Sequence, residues 1–285
     1  MSRYILYTYQ FSPIANLDAS LFGEKSISAM EAMEKKQEFL NEFFSSSCPF
    51  KNKRNEYSRK VFFQEGGFIA FRIANKKLQS LEEDFKVEKR VNHPSCVVIV
   101  DNRKDIQRIA IEDCYSAFSD TNTVANILTS TFNTFLKQYR LSMTIQKEYD
   151  KGEFWDIIDR FPKGMSMIRF HFSYPNLPRV SESIDEMIKN ASRVTNSKQT
   201  TFEFKTPNDE QLVISRDNQQ IEALVQASAN SGNIITLKAK GIHRYISTGD
   251  TFKAFEVDDI EASLSDGNLL ETPLEKLAKL FNPFK

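Results

Sequence analysis

The spacing of apolar and polar positions changes period several times along the chain, and each change marks an element. Arg3-Tyr4-Ile5-Leu6-Tyr7-Thr8-Tyr9-Gln10-Phe11 is dense in aromatic and β-branched residues, which predicts a first strand. Between 27 and 44, Ile27, Met30, Met33, Phe39, Leu40 and Phe43 recur among Glu and Lys. An amphipathic helix is expected there, with Ser26 or Ser28 as N-cap. Ser45-Ser46-Ser47 breaks it, and residues 51–60 form a polar insertion holding five cations. Val61-Phe62-Phe63 and the run Phe68 to Ile73, separated by Gly66-Gly67, predict a hairpin-like pair of strands. Cys96 to Val100 is a further strand, followed by the polar turn Asp101-Asn102-Arg103-Lys104, and Ile106 to Ile111 returns antiparallel to it. From Val124 to Tyr139 the apolar residues space at three and four, the period of a helix.

The second half repeats this grammar without repeating the sequence. Leu141 to Gln146 reads as a strand and Phe154 to Phe161 as a short helix. Met165 to Tyr174 is a strand closed by Pro175 and Pro178. Ile184 to Ala191 is expected to be helical, Thr200 to Lys205 a strand and Leu212 to Ile214 another. Asp217 or Asn218 caps a helix through Ile221, Leu224 and Val225 that ends near Ser231-Gly232, and Ile234 to Gly241 follows as a strand. The fold class expected is α+β: two lobes, each a mainly antiparallel sheet with a few packed helices. The polar, Gly-terminated stretch 147–152 places the division. It gives an N-terminal domain 1–149, a second domain 150–245 and an acidic C-terminal segment 246–285 ending in a short amphipathic helix. A single composite sheet carrying both halves is the alternative.

At 40% apolar residues, with nine Gly and nine Pro in 285 positions, the chain is globular rather than disordered. No apolar run approaches the roughly 20 residues of a bilayer span, and the first residues lack a secretion-signal pattern. A soluble, cytoplasmic protein is the expectation. Cys48, Cys96 and Cys114 are an odd number at wide spacing, which fits free thiols in a reducing compartment. His93-x-x-Cys96 is the one pair with ligand-like spacing, but it lacks the other two ligands of a closed zinc site. It reads instead as a turn followed by a small core residue, and no metal or cofactor is expected.

Phosphate-cradling glycine loops and nucleophile elbows are absent from the sequence. The most enzyme-like string is Thr200-Thr201-Phe202-Glu203-Phe204-Lys205, where an acid and a lysine two apart share one face of a strand. Metal-dependent nucleases present a ligand beside a cation in this way, with Asp185 as a further acid by position. Plain alternation explains the same string, with Phe202 and Phe204 inward and Glu203 and Lys205 outward. The basic clusters carry more. Lys51, Lys53, Arg54, Arg59 and Lys60 lie among Asn52, Asn55, Tyr57 and Ser58, a mixture suited to phosphates through charge and hydrogen bonding. Lys238, Lys240, His243 and Arg244 surround Gly241 as a second group. Net charge is zero overall, yet the last forty residues hold four Lys or Arg against eight Asp or Glu. That end reads as a solvated tail, or as a negative flap competing with an anionic ligand for a basic surface. Residues 273–284 also suit an adaptor peptide that docks on a partner protein.

Three stretches give the chain a resemblance to the RexA-type phage-exclusion proteins. They are Tyr4 to Tyr9; His93-Pro94-Ser95-Cys96-Val97-Val98-Ile99-Val100-Asp101 with Ile109-Ala110 and Ala117-Phe118; and a third, longer stretch. That one is Phe202-Glu203-Phe204-Lys205-Thr206-Pro207, then Arg216, Ile221, Leu224-Val225 and Ile234-Ile235-Thr236-Leu237-Lys238-Ala239-Lys240. The order spans roughly residues 4–245, leaving out the basic 51–60 segment and everything after 246. The resemblance implies a homodimer of two α+β lobes that swing relative to each other. It further implies binding of double-stranded DNA with little sequence preference in abortive infection, a membrane protein acting downstream, and no enzymatic activity. Lys238 and Lys240 match the motif at a strand end by position. Together with the residue-level argument this makes Lys51, Lys53, Arg54, Arg59, Lys60, Lys238, Lys240 and Arg244 the candidate phosphate contacts. A metal-dependent nuclease and a protein–protein adaptor are the alternatives.

Overall fold

The computed structural model describes residues 1–14, 28–83, 85–104, 106–173, 194–195, 197, 199–207, 210–265 and 272–281. The fold is α+β, with antiparallel sheet predominating. Two compact units form: Met1–Ile145 together with Ala254–Lys285, and Gln146–Lys253.

The first unit opens with β1 (Ser2–Pro13), α1 (Ala29–Glu34) and α2 (Lys36–Ser45). It continues through β2 (Phe50–Asn52), β3 (Asn55–Glu65), β4 (Phe68–Ala74), β5 (Lys77–Glu83), β6 (Lys86–Asn92), β7 (Ser95–Asp101), β8 (Arg108–Glu112), α3 (Thr121–Leu136) and β9 (Leu141–Lys147). The second unit holds α4 (Gly152–Arg160), β10 (Met165–Ser173), β11 (Gln199–Lys205), α5 (Gln219–Asn230), β12 (Thr236–Ala239) and β13 (Ile246–Ser247). The chain then returns to the first unit with β14 (Ala254–Val257), α6 (Ile260–Ser265) and α7 (Pro273–Phe281).

In the first unit the sheet runs β14-β1-β8-β7-β4-β3-β2, with β9 also pairing β1. Both faces are apolar. Tyr7, Tyr9, Phe11, Phe71, Val98 and Ile111 face α1, α2 and α3, whose Phe39, Leu40, Phe43, Val124, Leu128 and Phe132 complete one core. Tyr4, Leu6, Ala70, Val97 and Ile99 face the other way, onto Ile260, Leu277 and Phe281 of α6 and α7. A doubly covered strand needs apolar residues on both sides, which is why β7 reads as an unbroken apolar run. At the β3–β4 turn Gly66 and Gly67 both have positive φ, as a two-residue hairpin of this twist requires. A Cβ on Gly66 would also meet the Leu274 side chain at 2.6 Å.

The fold departs from several of these expectations. The helix expected over 27–44 is two helices: Ser28 caps α1 by accepting from the Glu31 amide, and the chain turns at Lys35 before α2. The basic insertion 51–60 is itself a hairpin, with Lys51 opposite Glu56 and Asn52 opposite Asn55. Residues 212–214 form no strand. After the Thr206-Pro207 turn, Leu212 donates one backbone hydrogen bond to Met165 (2.8 Å), and its side chain packs against the second unit's core. The helix expected at 184–191, with Asp185, lies outside the described residues. Residues 246–285, read as one acidic tail, are divided by the fold. Its first eight residues belong to the second unit, whereas β14 pairs with Ser2–Ile5 of β1 and α7 seats Leu277 and Phe281 on the first sheet. The apolar spacing of 273–281 drives that packing, so the candidate adaptor peptide is occupied by the chain's own sheet.

Candidate nucleic-acid interface

The second unit's sheet has the order β11-β10-β12-β13. Ile168, Phe170 and Phe172 of its central strand β10 pack with Leu237 and Ala239 of β12 against α4 (Phe154, Trp155, Ile157) and α5 (Leu224, Val225, Ala227). Because side chains alternate along a strand, Met167, Arg169 and His171 point to the opposite face. Register then assembles that face row by row. Met167 lies between Lys205 of β11 and Lys238 of β12, Arg169 between Glu203 and Thr236, and His171 opposite Thr201. The row through Thr236 ends on Ser247 of β13.

This outward face is basic, hydroxyl-rich and centred on an aromatic ring. Tyr245, 57% exposed, receives Lys238 Nζ at 5.7 Å and the Arg169 guanidinium at 6.0 Å from its ring centre. Arg169 also holds Glu203 through Nε (2.7 Å) and Nη2 (2.5 Å), and His171 Nδ1 lies 3.2 Å from Thr201 Oγ1. Lys205 is exposed beside Met167, and Lys240 and Arg244 flank the β12–β13 connection around Gly241. Adjacent strands are about 4.8 Å apart, so Lys205 and Lys238, two strands apart, stand roughly 10 Å from each other. The two helices that pack on this sheet, α4 and α5, lie on its other side, and Met167 at the centre of the outward row is itself buried.

The candidate cations of the first unit are placed differently. Arg59 is withdrawn from any phosphate surface. Its guanidinium stacks over Phe43 at 4.7 Å, lies 5.6–5.7 Å from the Phe44 and Phe50 rings, and donates to the carbonyls of Phe43 (3.2 Å) and Ser46. Those carbonyls close the C-terminal end of α2, where a cation also meets the negative end of the helix dipole. Burial pulls the Arg59 pKa downward. Lys60, next along β3, falls on the other face of the sheet, 3.6 Å from Glu261 Oε1, a carboxylate that also pairs with Arg72. Lys51 pairs with Glu56 across the hairpin. Lys53, at φ 54, and Arg54 form the exposed tip. Of the five cations expected here as one cluster, the pleat divides Arg59 from Lys60, and two ion pairs engage Lys51 and Lys60. The second group, Lys238, Lys240 and Arg244, belongs to the other unit.

The pattern behind the nuclease alternative also takes a definite form. Phe202 and Phe204 turn toward Phe172 and Phe170, with ring centres 6.0 and 6.2 Å apart, so Glu203 and Lys205 alternate outward. Both described contacts of the Glu203 carboxylate are to Arg169. Among the described residues no group of three His, Cys, Asp or Glu side chains is placed to hold a metal ion. Cys96 is buried on the first sheet, where burial pushes its thiol pKa up, and His93 lies in an exposed turn. On the helix-bearing side of the second sheet an open cleft of about 450 Å³ is lined by Phe202, Phe204, Leu212, Ile214, Ile221 and Leu224. Asn218 at its edge already caps α5, accepting from the amides of Gln220 and Ile221.

Arg169 and Tyr245 are the residues a search for basic runs misses. For Arg169 the signal is alternation: it is the charged position between the buried Ile168 and Phe170 of β10. No family model matches this chain, and neither a curated protein nor a solved structure matches it.

Proposed function

We propose that this chain binds double-stranded DNA without sequence preference, through phosphates lying on the outward face of the second unit's sheet, and acts as a sensor or effector in antiphage defence. One observation carries the reading: the row Lys205–Met167–Lys238, with Arg169 beside it and Tyr245 between the two basic groups. In this reading cations and hydroxyls standing on a sheet face meet the phosphate backbone rather than base edges. Lys240 and Arg244 extend the row, and a dimer doubles it. Lys51, Lys53, Arg54 and Lys60 are secondary contacts in this reading. The longest stretch that resembles the RexA-type proteins builds β11, α5 and β12, and the two strands flank β10 on this face while α5 packs behind it; that resemblance supports duplex DNA and the defence setting. The reading also includes a cytoplasmic location, a downstream membrane-protein partner and no catalytic step. Among the described residues no helix is long and apolar enough to cross a membrane.

Binding by this face displaces counterions. If about three cations neutralise phosphates, log affinity falls against log salt with a slope of roughly −3. Mobility shifts of the full chain with duplex, single-stranded and RNA probes, with and without divalent metal, test it. Duplex binding should be strongest and steeply salt-dependent. Lys205→Glu with Lys238→Glu should weaken it on the order of a hundred-fold at low salt. A flat salt response, or a double variant that binds as the parent does, refutes the reading. Metal-dependent cleavage lost in Glu203→Ala replaces it with the nuclease.

A further inference from the structure

The ribbon of β5 and β6 forms a two-stranded sheet of its own and contributes no residue to the cores of the first unit. All seven residues of β6 are exposed. Leu78 (70% exposed) pairs with Val91 (52%), Val87 (64%) shares their face, and Phe85 stands at the turn, 98% exposed and at positive φ. A lone two-stranded hairpin is marginal in water, and among the described residues no further strand pairs with its outer edges. We propose that β6 pairs antiparallel with β6 of a second copy of this chain, about a two-fold axis at Lys89.

The sequence of the strand specifies this occupant. Val87-Glu88-Lys89-Arg90-Val91 is a palindrome in which acid and base exchange places. Antiparallel self-pairing centred on Lys89 sets Val87 against Val91 twice and Glu88 against Arg90 twice, gains that outweigh the single Lys89–Lys89 opposition on the axis between exposed, solvated side chains. The residues paired share a face of the sheet, as a ladder requires. Centring on Glu88 instead sets Lys86 against Arg90, and centring on Arg90 sets Lys89 against Val91. Either shift loses both ion pairs. Within one chain Arg90 Nη2 already reaches Glu88 Oε2 at 3.0 Å, so both groups stand on one exposed face. Joined ribbons make a four-stranded sheet in which Leu78, Val91 and the other copy's Val87 form one apolar row. The arrangement is isologous and closes on itself. β5 is a poorer edge: centred on Ser80, it would set Leu78 against Glu82.

The test uses the full chain without nucleic acid, so that its outcome is independent of DNA binding. Sedimentation over a concentration series should show a reversible dimer. Glu88→Arg alone opposes two pairs of arginines, Arg90→Glu alone opposes two pairs of glutamates, and each should weaken dimerisation about ten-fold or more. Mixing the two single variants restores both ion pairs, so a heterodimer of near-parental affinity is expected, and the doubly exchanged chain should dimerise by itself. The substituted side chains are exposed, so melting of the monomers should match the parent's. A parent that stays monomeric, a dimer indifferent to both single changes, or single variants that fail to recover on mixing would each overturn the proposal.

Discussion

The two main sheets of this protein are covered differently, and the difference separates scaffold from surface. In the first unit, helices close one face and the returning C-terminal elements close the other, so strand positions on both sides go to packing. In the second, α4 and α5 close one face, and the other carries Arg169, His171, Lys205 and Lys238. Continuous apolar strands and alternating strands are the two sequence forms of these two situations. Arg59 of the doubly covered unit is drawn into the fold, whereas Lys205 on the singly covered sheet stands exposed.

The largest expected effect breaks the double cover. Phe281 is fully buried against Phe68 and Phe255, with ring centres 6.1 and 6.5 Å away. Phe281→Ala should destabilise the first unit by about 3–5 kcal/mol in urea unfolding. Deleting 246–285 should unfold that unit rather than uncover a DNA site, because it also strips β14 from β1. A truncated chain that keeps its stability would show the second face to be dispensable.

Arg59→Ala comes next, at about 2–3 kcal/mol, from the lost cation–ring contacts and the lost hydrogen bond to the Ser46 carbonyl at the end of α2. Its salt slope for DNA should match the parent's once folding is corrected for. A shallower slope would return Arg59 to the phosphate surface. On the second sheet, Glu203→Gln removes the carboxylate held by Arg169 and should raise duplex affinity roughly three- to ten-fold at low salt. Weaker binding would mean that the Arg169–Glu203 pair orders the face rather than masking its charge.

How much of this was legible depended on whether a local period sufficed. The α+β class, β1, β7 and α3 follow from spacing alone, and cap chemistry narrows two N-caps to Ser26 or Ser28 and Asp217 or Asn218, of which the fold uses Ser28 and Asn218. The outward lysines at 205 and 238 were legible for the same reason. Tyr245 was not, because its place beside Lys238 depends on how β13 registers against β12, a long-range fact. The fate of residues 254–281 was hidden likewise: their acidic composition reads as a tail, while their few apolar positions fill a sheet face built some 200 residues earlier. Residues 77–92, low in turn signals and evenly polar, gave no period from which to read a ribbon.

The smallest effect concerns tyrosines, and it again divides the two units. Tyr139 stacks on Phe39 with ring centres 3.8 Å apart and donates to Glu42 Oε1 at 2.8 Å. Burial first, and then the Glu42 carboxylate, push its pKa up to about 12. A phenol that is harder to ionise in the fold than in the unfolded chain holds more protons when folded, so its stabilising contribution is complete below about pH 10. It is lost as pH rises from there to about 12. Tyr4, Tyr7 and Tyr9 on β1 are raised in the same direction by burial, so alkaline unfolding should begin in the first unit. Tyr149 is the buried counterpart in the second unit, also raised by burial. Tyr139→Phe should therefore flatten the decline only slightly, read as unfolding midpoint against pH with tyrosinate absorbance alongside. A variant as steep as the parent would place the sensitivity on the β1 tyrosines alone, and an earlier transition in the second unit would reverse the order of the two units.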